Sequence, residues 1–526
     1  MNKILLFHVL GGIILLFEIS GGLALPTNKV RTKRETDNDI ISQLAKRSGE
    51  VSGMFFIHHL PELLNIKEYF RSLGYRASET AKCWACRVAI AVIQSRVNTG
   101  ESEDEIGEFA YSICTKFKIE TPRVCTGVTN LFKRELTQVL ANVVLEPNQI
   151  CSFVFQGCGK VENPFHDWTI PLTPFPKPHI KPPHLPKFDY VIWTGDIPPH
   201  DIWNYTKEEV IYLLHSASKV MYKYLGHVPI FPALGNHESS PVNSFPIPQI
   251  KGKDSISWLY EEVAKAWHPW IPGNSQTLKL GAYYSVEVYP GFKLISLNMN
   301  YCNNFNWWLL INSTDPTGQL AWLVAQLQIA ENKGEKVHII GHIPPGEPDC
   351  LGVWSKNYNN IINRYEGTVT AQFFGHTHSD EFEIFYDKSG AEPRATSIAY
   401  IGPSVTTYDG FNPGYRIYTI DGNYNQSSKY VLDHETYFTN LTEANLRREI
   451  KWELEYTARK AYNMSSLFPE DWNFLTQRFE KDNSLFQKFH KYFYKMATHI
   501  PECDSICKAR YLCKMRRGQS NDPLIC

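Results

Sequence analysis

Neither sign of charge is in excess in this sequence. Its 526 residues include 53 lysines and arginines against 54 aspartates and glutamates, a formal net charge of −1. Without such an excess, no overall field draws the chain to nucleic acid or to an anionic membrane. We therefore expect no nucleic-acid partner, and we look for binding partners in local sites.

Long apolar runs are also scarce. One starts at Ile4, after Lys3, and ends at Phe17, and small residues follow it up to Ala24. This pattern predicts a cleaved secretory signal over residues 1–24, whereas the alternative, a membrane anchor, needs about 20 apolar residues. No later run is long enough, so we expect no transmembrane span. The mature protein is predicted to be secreted and extracellular, with a lysosomal location also open.

Cysteine, in contrast, is plentiful. The twelve cysteines are an even number, which in a secreted chain predicts a disulfide framework. Six of them lie within residues 83–158, where the segment "WACRVAIAVIQSRV" places Val88, Ala91 and Val92 at helical spacing. We predict a helical, disulfide-linked module, although six cysteines alone leave 15 pairings open.

The sequence also contains Asn-x-Ser/Thr sequons, as expected of a secreted glycoprotein. Such sites carry glycans only when they are on the surface of a secreted protein. We predict glycosylation at Asn204, Asn312, Asn425, Asn440 and Asn463.

Proline marks a boundary in the chain. Seven of the sixteen residues from Pro171 to Pro186 are proline, which favours an extended, semi-rigid spacer. Beyond the spacer, short apolar strands alternate with helical segments, the pattern of an α/β layered core. After about residue 435 the chain becomes charged and aromatic, as in "NLRREIKWELEYTARKAY", and we predict it to be helical.

Four apolar runs each end in glycine followed by a potential metal ligand. These runs are "YVIWTGD", "IFPALGNHE", "VHIIGH" and "AQFFGHTH", which lead to Asp196, Asn236, His342, His376 and His378. Open α/β sheets bind ligands at the carboxyl ends of their strands, where glycine lets the backbone turn. Each run alone is a weak signal, because Gly-Asp is usually a turn and a lone Gly-His usually a loop or core histidine. Together, and in this order, the runs predict a metal centre.

The donor atoms indicate a chemistry. A carboxylate, an amide oxygen and imidazoles suit zinc, manganese or iron. A carboxylate that bridges two metals roughly 3.5–4 Å apart lets them stabilise the attacking and leaving oxygens during displacement at phosphorus. Asp196 is the expected bridge, and the residues alone predict hydrolysis of a phosphate ester.

The order of these blocks resembles the calcineurin-like metallophosphoesterases. Longer strings, including "WTGDIPPHDIW", "GNHESSPVNSFP", "LISLNMNYC" and "NPGYRIYTIDGNY", resemble the acid sphingomyelinase family, and the six-cysteine segment resembles a saposin B-type domain. The resemblance implies an α/β (α+β) protein that cleaves sphingomyelin to ceramide and phosphocholine with zinc at acidic pH, at a membrane or lipoprotein lipid surface.

The resemblance also implies a domain plan. It consists of a signal peptide (1–24), a pro-segment (25–78), a helical saposin B-type domain (79–160), a proline-rich linker (161–187), a layered metallophosphoesterase β-sandwich flanked by helices (188–434) and a helical, disulfide-bonded C-terminal domain (435–526). The implied disulfides are Cys83–Cys158, Cys86–Cys151, Cys114–Cys125, Cys302–Cys350, Cys503–Cys507 and Cys513–Cys526.

Roles of single residues follow from the same motifs. The metal ligands of the family fall on the five residues named above. The histidine that supports the phosphate and the leaving oxygen falls on His237, and the candidate proton donor to the leaving alkoxide falls on His200. A histidine suits proton donation because it can be protonated in mildly acidic fluid. The alternative for His200 is an ordinary histidine of a surface loop.

One block of the family is absent. Metallophosphoesterases begin with Asp-x-His at the end of the first core strand, and no Asp-x-His occurs in the 526 residues. The family binds two zincs. Without the block, one zinc keeps four ligands while the other keeps only Asp196 and His378, which is too few for tight binding. We expect one zinc here, unless linker residues substitute: His166, Asp167, His179 or His184.

The sequence is compatible with three functions. The first is a sphingomyelin phosphodiesterase whose activity is impaired by the missing block. The second is a catalytically inactive, saposin-type lipid-binding protein on a damaged phosphoesterase scaffold. The third is a nucleotide phosphodiesterase, which the six-cysteine segment disfavours. The sequence fits both a natural variant without the block and a gene reading that omitted one exon.

Overall fold

The computed structural model of the chain describes residues 75–116, 120–143, 145–154, 158, 168–172, 189–226, 228–271, 276–422 and 424–522. The predicted signal, nearly all of the pro-segment, most of the linker and its four candidate substitute ligands lie outside these residues. The chain divides into two units, residues 1–166 with 201–204, and residues 167–200 with 205–526. Among the described residues, no helix is both long and apolar enough to cross a membrane.

The described residues of the first unit are largely helical, as predicted. Its helices are α1 (Tyr75–Asn98), α2 (Glu103–Lys116), α3 (Pro122–Asn142) and α4 (Pro147–Val154). Thr121 caps α3 by accepting the backbone N–H of Val124, and Pro122 occupies the first turn, where its missing N–H is not needed. The disulfides join Cys83 to Cys158, Cys86 to Cys151 and Cys114 to Cys125. The nested pairing implied by the resemblance is therefore present.

The described residues of the second unit form three sheets. A two-stranded parallel sheet contains β1 (Val191–Trp193) and β2 (Ile230–Pro232). A six-stranded sheet has the order β3-β4-β5-β6-β8-β7, and its strands are β3 (Tyr284–Tyr289), β4 (Phe292–Ser296), β5 (Lys336–Ile340), β6 (Val369–Phe374), β7 (Glu381–Asp387) and β8 (Arg394–Ile401). A three-stranded antiparallel sheet has the order β11-β10-β9, with β9 (Gly414–Ile420), β10 (Val431–Phe438) and β11 (Glu453–Thr457).

Helices connect and flank these strands. They are α5 (Lys207–Leu225), α6 (Ser257–Ala266), α7 (Gln276–Gly281), α8 (Gln319–Lys333), α9 (Gly352–Arg364), α10 (Leu441–Arg447), α11 (Ala458–Tyr462), α12 (Pro469–Lys481), α13 (Asn483–Phe493) and α14 (Ser505–Met515). Local sequence sets their ends: Thr206 and Glu209 form a capping box at the start of α5, and Gly334, in the left-handed region, ends α8. The predicted mixed α/β architecture with flanking helices is confirmed.

The two smaller sheets contact the same face of the six-stranded sheet. The buried ring of His338, on β5, lies between them: its Nδ1 is 3.0 Å from the hydroxyl of Tyr190, next to β1, and its Nε2 is 2.7 Å from the carbonyl of Lys429, next to β10. Tyr190 also packs on Phe292 of β4, whereas Tyr418 of β9 packs on Phe373 of β6. Among the described residues, β1 pairs only with β2 and β9 only with β10. The outer edges of β1 and of β9 are therefore unpaired within the described part of the chain.

The region after residue 435 differs in part from its prediction. The segment predicted to be helical contains the end of β10 and all of β11 between α10 and α11. Helix α10 stops because Arg448 adopts a left-handed φ of 55°. The residues that follow, from Trp452 to Tyr456, alternate apolar and charged side chains, which is the period of a strand. From α12 onward the region is helical, as predicted.

The other described cysteines also form the disulfides that the resemblance implies, as far as both partners are described. Disulfides join Cys302 to Cys350 and Cys503 to Cys507. Cys513 is disulfide-bonded, and its implied partner, Cys526, lies outside the described residues. Among the described cysteines none is free.

The predicted glycosylation sites differ in exposure. The side chains of Asn204, Asn425 and Asn463 are exposed, whereas those of Asn312 and Asn440 are half-buried. Asn440 is also the N-cap of α10, where it accepts the backbone N–H of Glu443. Glycosylation stays a prediction at all five sites.

Candidate metal centre

The four glycine-terminated runs end at one place in the second unit. Strands β1, β2, β5 and β6 lead into Asp196, Asn236, His342 and His376. The ends of β1 and β2 approach so closely that only glycine fits: a Cβ on Gly195 would lie 2.3 Å from the Gly235 nitrogen, and one on Gly235 would lie 2.1 Å from Asp196 Oδ1. The predicted convergence at the strand ends is therefore present.

Four donor atoms face one another there, and we call these four residues the first ligand group. His342 Nε2 lies 2.9 Å from Asp196 Oδ2 and 3.1 Å from Asn236 Oδ1. His376 Nδ1 lies 3.1 Å from the same Asn236 oxygen and 3.3 Å from His342 Nε2. The donor atoms are thus close enough to surround a single cation.

The outer nitrogen of each histidine is bound elsewhere. His342 Nδ1 lies 2.6 Å from the carbonyl oxygen of Thr194, which can only accept, so Nδ1 carries the hydrogen. His376 Nε2 lies 2.9 Å from Asp349 Oδ2, and it donates to that carboxylate. In the neutral rings the inner nitrogens therefore present lone pairs. Four lone pairs that meet at 2.9–3.3 Å repel one another unless a cation lies between them.

Backbone amides hold the loops that carry these ligands. The carboxylate of Glu238, which is buried, accepts the N–H groups of Gly235, Asp196 and Ile197 at 2.5, 3.0 and 2.6 Å. Asp196 Oδ1 in turn accepts the N–H of His237 at 3.0 Å. These bonds fix the β1 and β2 loops to each other and leave Asp196 Oδ2 directed at the two histidines.

Charge is concentrated at the Asp196–His342 contact. Burial disfavours the charged form of both groups, yet their mutual attraction prevails: the pKa of Asp196 is held well below its usual value, and the pKa of His342 is raised. A metal cation can take the place of the His342 proton beside this carboxylate.

His378 and His200 form a second, differently built part of the site, which we call the histidine pair. Their rings are 5.1 Å apart in an edge-on arrangement, and His200 stacks on Tyr408 with a centroid distance of 3.8 Å. Both histidine rings are half-buried. Burial and the neighbouring histidines lower the pKa of His378 to about 3, so that it is neutral, as a metal ligand must be.

Burial also affects the candidate proton donor. Burial and then the nearby His237 lower the pKa of His200 to about 4, so the neutral ring predominates in mildly acidic fluid. Burial also lowers the pKa of His237, whose Nδ1 is 3.2 Å from the Pro199 carbonyl and therefore carries the hydrogen. The His237 Nε2 is then an acceptor in the neutral ring.

Strained backbone accompanies the ligands. Asp196, His376 and His378 have φ values of 64°, 71° and 62°. These values lie in the left-handed region, which residues other than glycine adopt infrequently. Such conformations persist only where surrounding contacts enforce them, and they cluster at functional sites.

Sequence reasoning missed several residues of the site. Asp349 and Tyr408 contact ligands or their neighbours but lie outside the strings that resemble the family. Asn243 and Glu238 lie inside the string "GNHESSPVNSFP", but the motif alone assigns no role to either residue. A signal for Glu238 was nevertheless available in the sequence. Its carboxylate lies two residues after the candidate ligand Asn236, close to glycine turns whose backbone N–H groups need acceptors.

Comparisons with known proteins agree with this geometry. The family profile described as "Calcineurin-like phosphoesterase" matches residues 175–380, and that described as "Acid sphingomyelin phosphodiesterase C-terminal region" matches residues 396–521. The chain is 40% identical to the sphingomyelin phosphodiesterase of Homo sapiens, over 84% of this chain and 82% of the human protein. The chain belongs to the sphingomyelin phosphodiesterase family.

Other relatives of this sphingomyelin phosphodiesterase family member differ in coverage. Sphingomyelin phosphodiesterase B of Dictyostelium discoideum is 34% identical over 85% of this chain and 82% of that protein. A cyclic GMP-AMP phosphodiesterase of Mus musculus is 33% identical over 62% of this chain and 74% of that protein. Membership of a metallophosphoesterase family implies metal ions, and the first ligand group fits one such ion by its donor atoms and their fixed orientation.

Proposed function

We propose that this chain is a zinc-dependent phosphodiesterase that hydrolyses sphingomyelin to ceramide and phosphocholine, with activity reduced by the missing Asp-x-His block. One observation carries the proposal. Two imidazole nitrogens, a carboxylate oxygen and an amide oxygen converge at strand ends, each with its other polar atom bound elsewhere. Zinc accepts four ligands of these types. The relatives that match most of the chain are named sphingomyelin phosphodiesterases.

The residues around the centre have separable tasks. A divalent ion held by the first ligand group would supply a Lewis acid that polarises a phosphoryl oxygen and acidifies water. The proposed roles of His237 and His200 are to hold the phosphate and to give a proton to the leaving alkoxide. The negative charge of a bound phosphodiester raises the pKa of a neighbouring histidine, which opposes the lowering that burial causes here. Tyr408, stacked on His200, keeps the donor ring in place.

The proposed impairment rests on the histidine pair. A second metal would have Asp196 and His378 from this chain, which falls short of the three or more protein ligands of typical zinc sites. The open edges of β1 and β9, on the same face of the six-stranded sheet, are what the loss of an intervening strand would leave. The alignment with the human protein extends over 523 positions but includes only 84% of this chain. It therefore contains gaps where the human protein has residues that this chain lacks.

A lipid surface is the proposed place of action. Sphingomyelin resides in lipid layers, and the helical, disulfide-linked unit fits the proposed role of a saposin-like module that loosens lipid. We propose that the chain is secreted, with lysosomal delivery as a second destination. The match to the cyclic GMP-AMP phosphodiesterase covers a smaller part of the chain, which favours sphingomyelin over a nucleotide. Because the Asp-x-His block is missing, a second candidate function is that of a catalytically inactive lipid-binding protein.

The test compares the chain with a version that carries an Asp-x-His strand between Pro186 and Lys187. We expect the unaltered chain to bind close to one zinc and the extended version two. Turnover of labelled sphingomyelin at pH 5 should be at least ~100-fold slower in the unaltered chain, since one lost electrostatic contribution of about 3 kcal/mol costs that factor. Zinc content is measured by elemental analysis on the same samples.

His376→Ala, which removes a ligand of the first group, is the inactive control. Two zincs and equal turnover in the unaltered chain would show that other residues complete the second site, contrary to the proposed impairment. No turnover above the His376→Ala control would favour the lipid-binding function instead.

A further inference from the structure

The atom that Asn236 offers to the centre depends on which way round its side chain lies. A carboxamide has an oxygen and a nitrogen of nearly the same shape, and only the oxygen can bind a metal cation. Asn236 lies against the inner nitrogens of His342 and His376, which in the neutral rings are acceptors. Taken alone, this contact favours the reverse orientation, in which the Asn236 NH₂ donates to the histidines and blocks a metal.

A chain of buried amides opposes that reversal. The Asn236 NH₂ donates to Asn243 Oδ1 at 3.0 Å, and the same oxygen accepts the Asn303 NH₂ at 2.9 Å. Asn303 Oδ1 in turn accepts the backbone N–H of Phe305 at 2.9 Å. The three asparagine side chains are 6%, 6% and 1% exposed, so water does not compete for these bonds.

The backbone N–H of Phe305 sets the direction of the whole chain. It can only donate, so Asn303 must turn its oxygen toward Phe305 and its NH₂ toward Asn243. Asn243 must then offer oxygen, and Asn236 must offer its NH₂ to Asn243 and its oxygen to the histidines. Reversal of any one amide would set two donors or two acceptors against each other in a buried place, at a cost of about 1–3 kcal/mol.

Asn243 and Asn303 are themselves fixed by the backbone. The N–H of Asn243 donates to the carbonyl of Asn236 at 3.0 Å, and Asn243 has a φ of 63°, a conformation that asparagine adopts more readily than most residues. Asn303 forms a β-bridge with Cys350, to which its neighbour Cys302 is disulfide-bonded. The amide chain is therefore tied at both ends.

We propose that Asn243 and Asn303 are positioning residues that hold the Asn236 oxygen toward the metal. The inference rests on the proposed function, because it concerns the same metal. Neither residue touches the metal position, and both act through Asn236. Partners of this kind typically contribute about 10–100-fold to metal affinity.

Two Asn→Asp substitutions, which barely change the size of the side chain, distinguish the orientation of Asn236 from a general disturbance of packing. Asn303→Asp replaces the NH₂ with an acceptor, which turns Asn243 and then Asn236 the wrong way round, and we expect zinc affinity to fall by about 10–100-fold. Asn243→Asp keeps an acceptor for both NH₂ groups, and we expect zinc affinity within about threefold of the unaltered chain. Asn359→Asp is the matched control, because Asn359 is buried to the same degree, 5% exposed, lies on α9 outside the metal site, and uses its oxygen to accept the Asn363 NH₂, as an aspartate still would.

Zinc affinity is measured on the full metal-depleted chain by competition with a chromogenic chelator, and thermal unfolding without metal checks the fold. If Asn303→Asp does not fold, Asn303→Ser removes the donor without a charge and should still weaken zinc binding by about tenfold. Equal affinity in Asn303→Asp and Asn359→Asp, or an Asn243→Asp loss as large as that of Asn303→Asp, would overturn the inference. An unaltered chain that binds no zinc at all would instead overturn the proposed function.

Discussion

The first ligand group and the histidine pair lie side by side but are held in different ways. Each member of the first group makes a directed hydrogen bond away from the centre, to Thr194, Asp349, Asn243 or the amide of His237. The histidine pair is held by ring contacts, among them the stacking of His200 on Tyr408. Hydrogen bonds fix which atom faces the centre, whereas ring packing fixes only where the ring lies. The first group is therefore preorganised for a metal and the pair is not.

His378 nevertheless belongs to a well-anchored segment. Two residues beyond it, Asp380 is buried and accepts hydrogen bonds from Tyr456 and Thr436 of the three-stranded sheet, at 2.8–3.0 Å. Arg416, on β9, forms a buried ion pair with the same carboxylate. The difference between the two parts of the site therefore lies in the support of the side chains rather than in the support of the loop.

The largest effect should come from removing that anchor. Arg416→Met leaves the buried Asp380 charge without its cation, and we expect the free energy of unfolding to fall by about 3–5 kcal/mol. Chemical denaturation of the metal-free chain measures it. Arg394→Met is the matched control, because its ion pairs with Glu366 and Asp387 lie where the Arg394 side chain is 55% exposed, and its loss should cost at most about 1 kcal/mol. Equal losses in the two variants would mean that the loop is not anchored through Asp380.

A smaller effect is expected from the support of the first ligand group. Asp349→Ala removes the acceptor for His376 Nε2, so the ring is free to turn or to change tautomer, and zinc affinity should fall by about 10–100-fold. Asp387→Ala is the control, because its side chain is 35% exposed, close to the 32% of Asp349, and it lies outside the site. Chelator competition gives the affinities. An Asp349→Ala chain that binds zinc as tightly as the control would remove the distinction between the two parts of the site.

The sequence predicted the ligands of the first group because each directly follows an apolar strand and a glycine. The positions of such residues depend on local structure and on the parallel pairing of β1 with β2 and of β5 with β6. The supporting residues could not be predicted in this way. Asp349 reaches His376 only because the loop after β5 is joined to the segment that begins at Cys302, by the disulfide and by the bond from the Asn304 N–H to the Asp349 carbonyl. Contacts of this kind depend on tertiary structure and leave no periodic signal.

The partly wrong prediction after residue 435 has a different cause. Charged and aromatic residues such as those near Trp452 suit a helix by composition, and only the strict alternation from Trp452 to Tyr456 indicated a strand. The pairing of β11 with β10 then decides the structure. This local error has no effect on the ligands, which lie on other strands.

The smallest effect should come from substitution of His378. This prediction tests the difference between the first ligand group and the histidine pair most directly. His378→Ala removes a ring that lies beside His200 rather than within the cluster of donor atoms at Asn236. If the first ligand group alone holds the metal, zinc affinity should stay within about threefold of the unaltered chain, a change of about 0.6 kcal/mol. The same substitution in the chain that carries an added Asp-x-His strand should reduce the zinc content from two to one. A large loss of affinity from His378→Ala in the unaltered chain would mean that the metal lies between the first ligand group and the histidine pair, and that the two are not separate parts of the site.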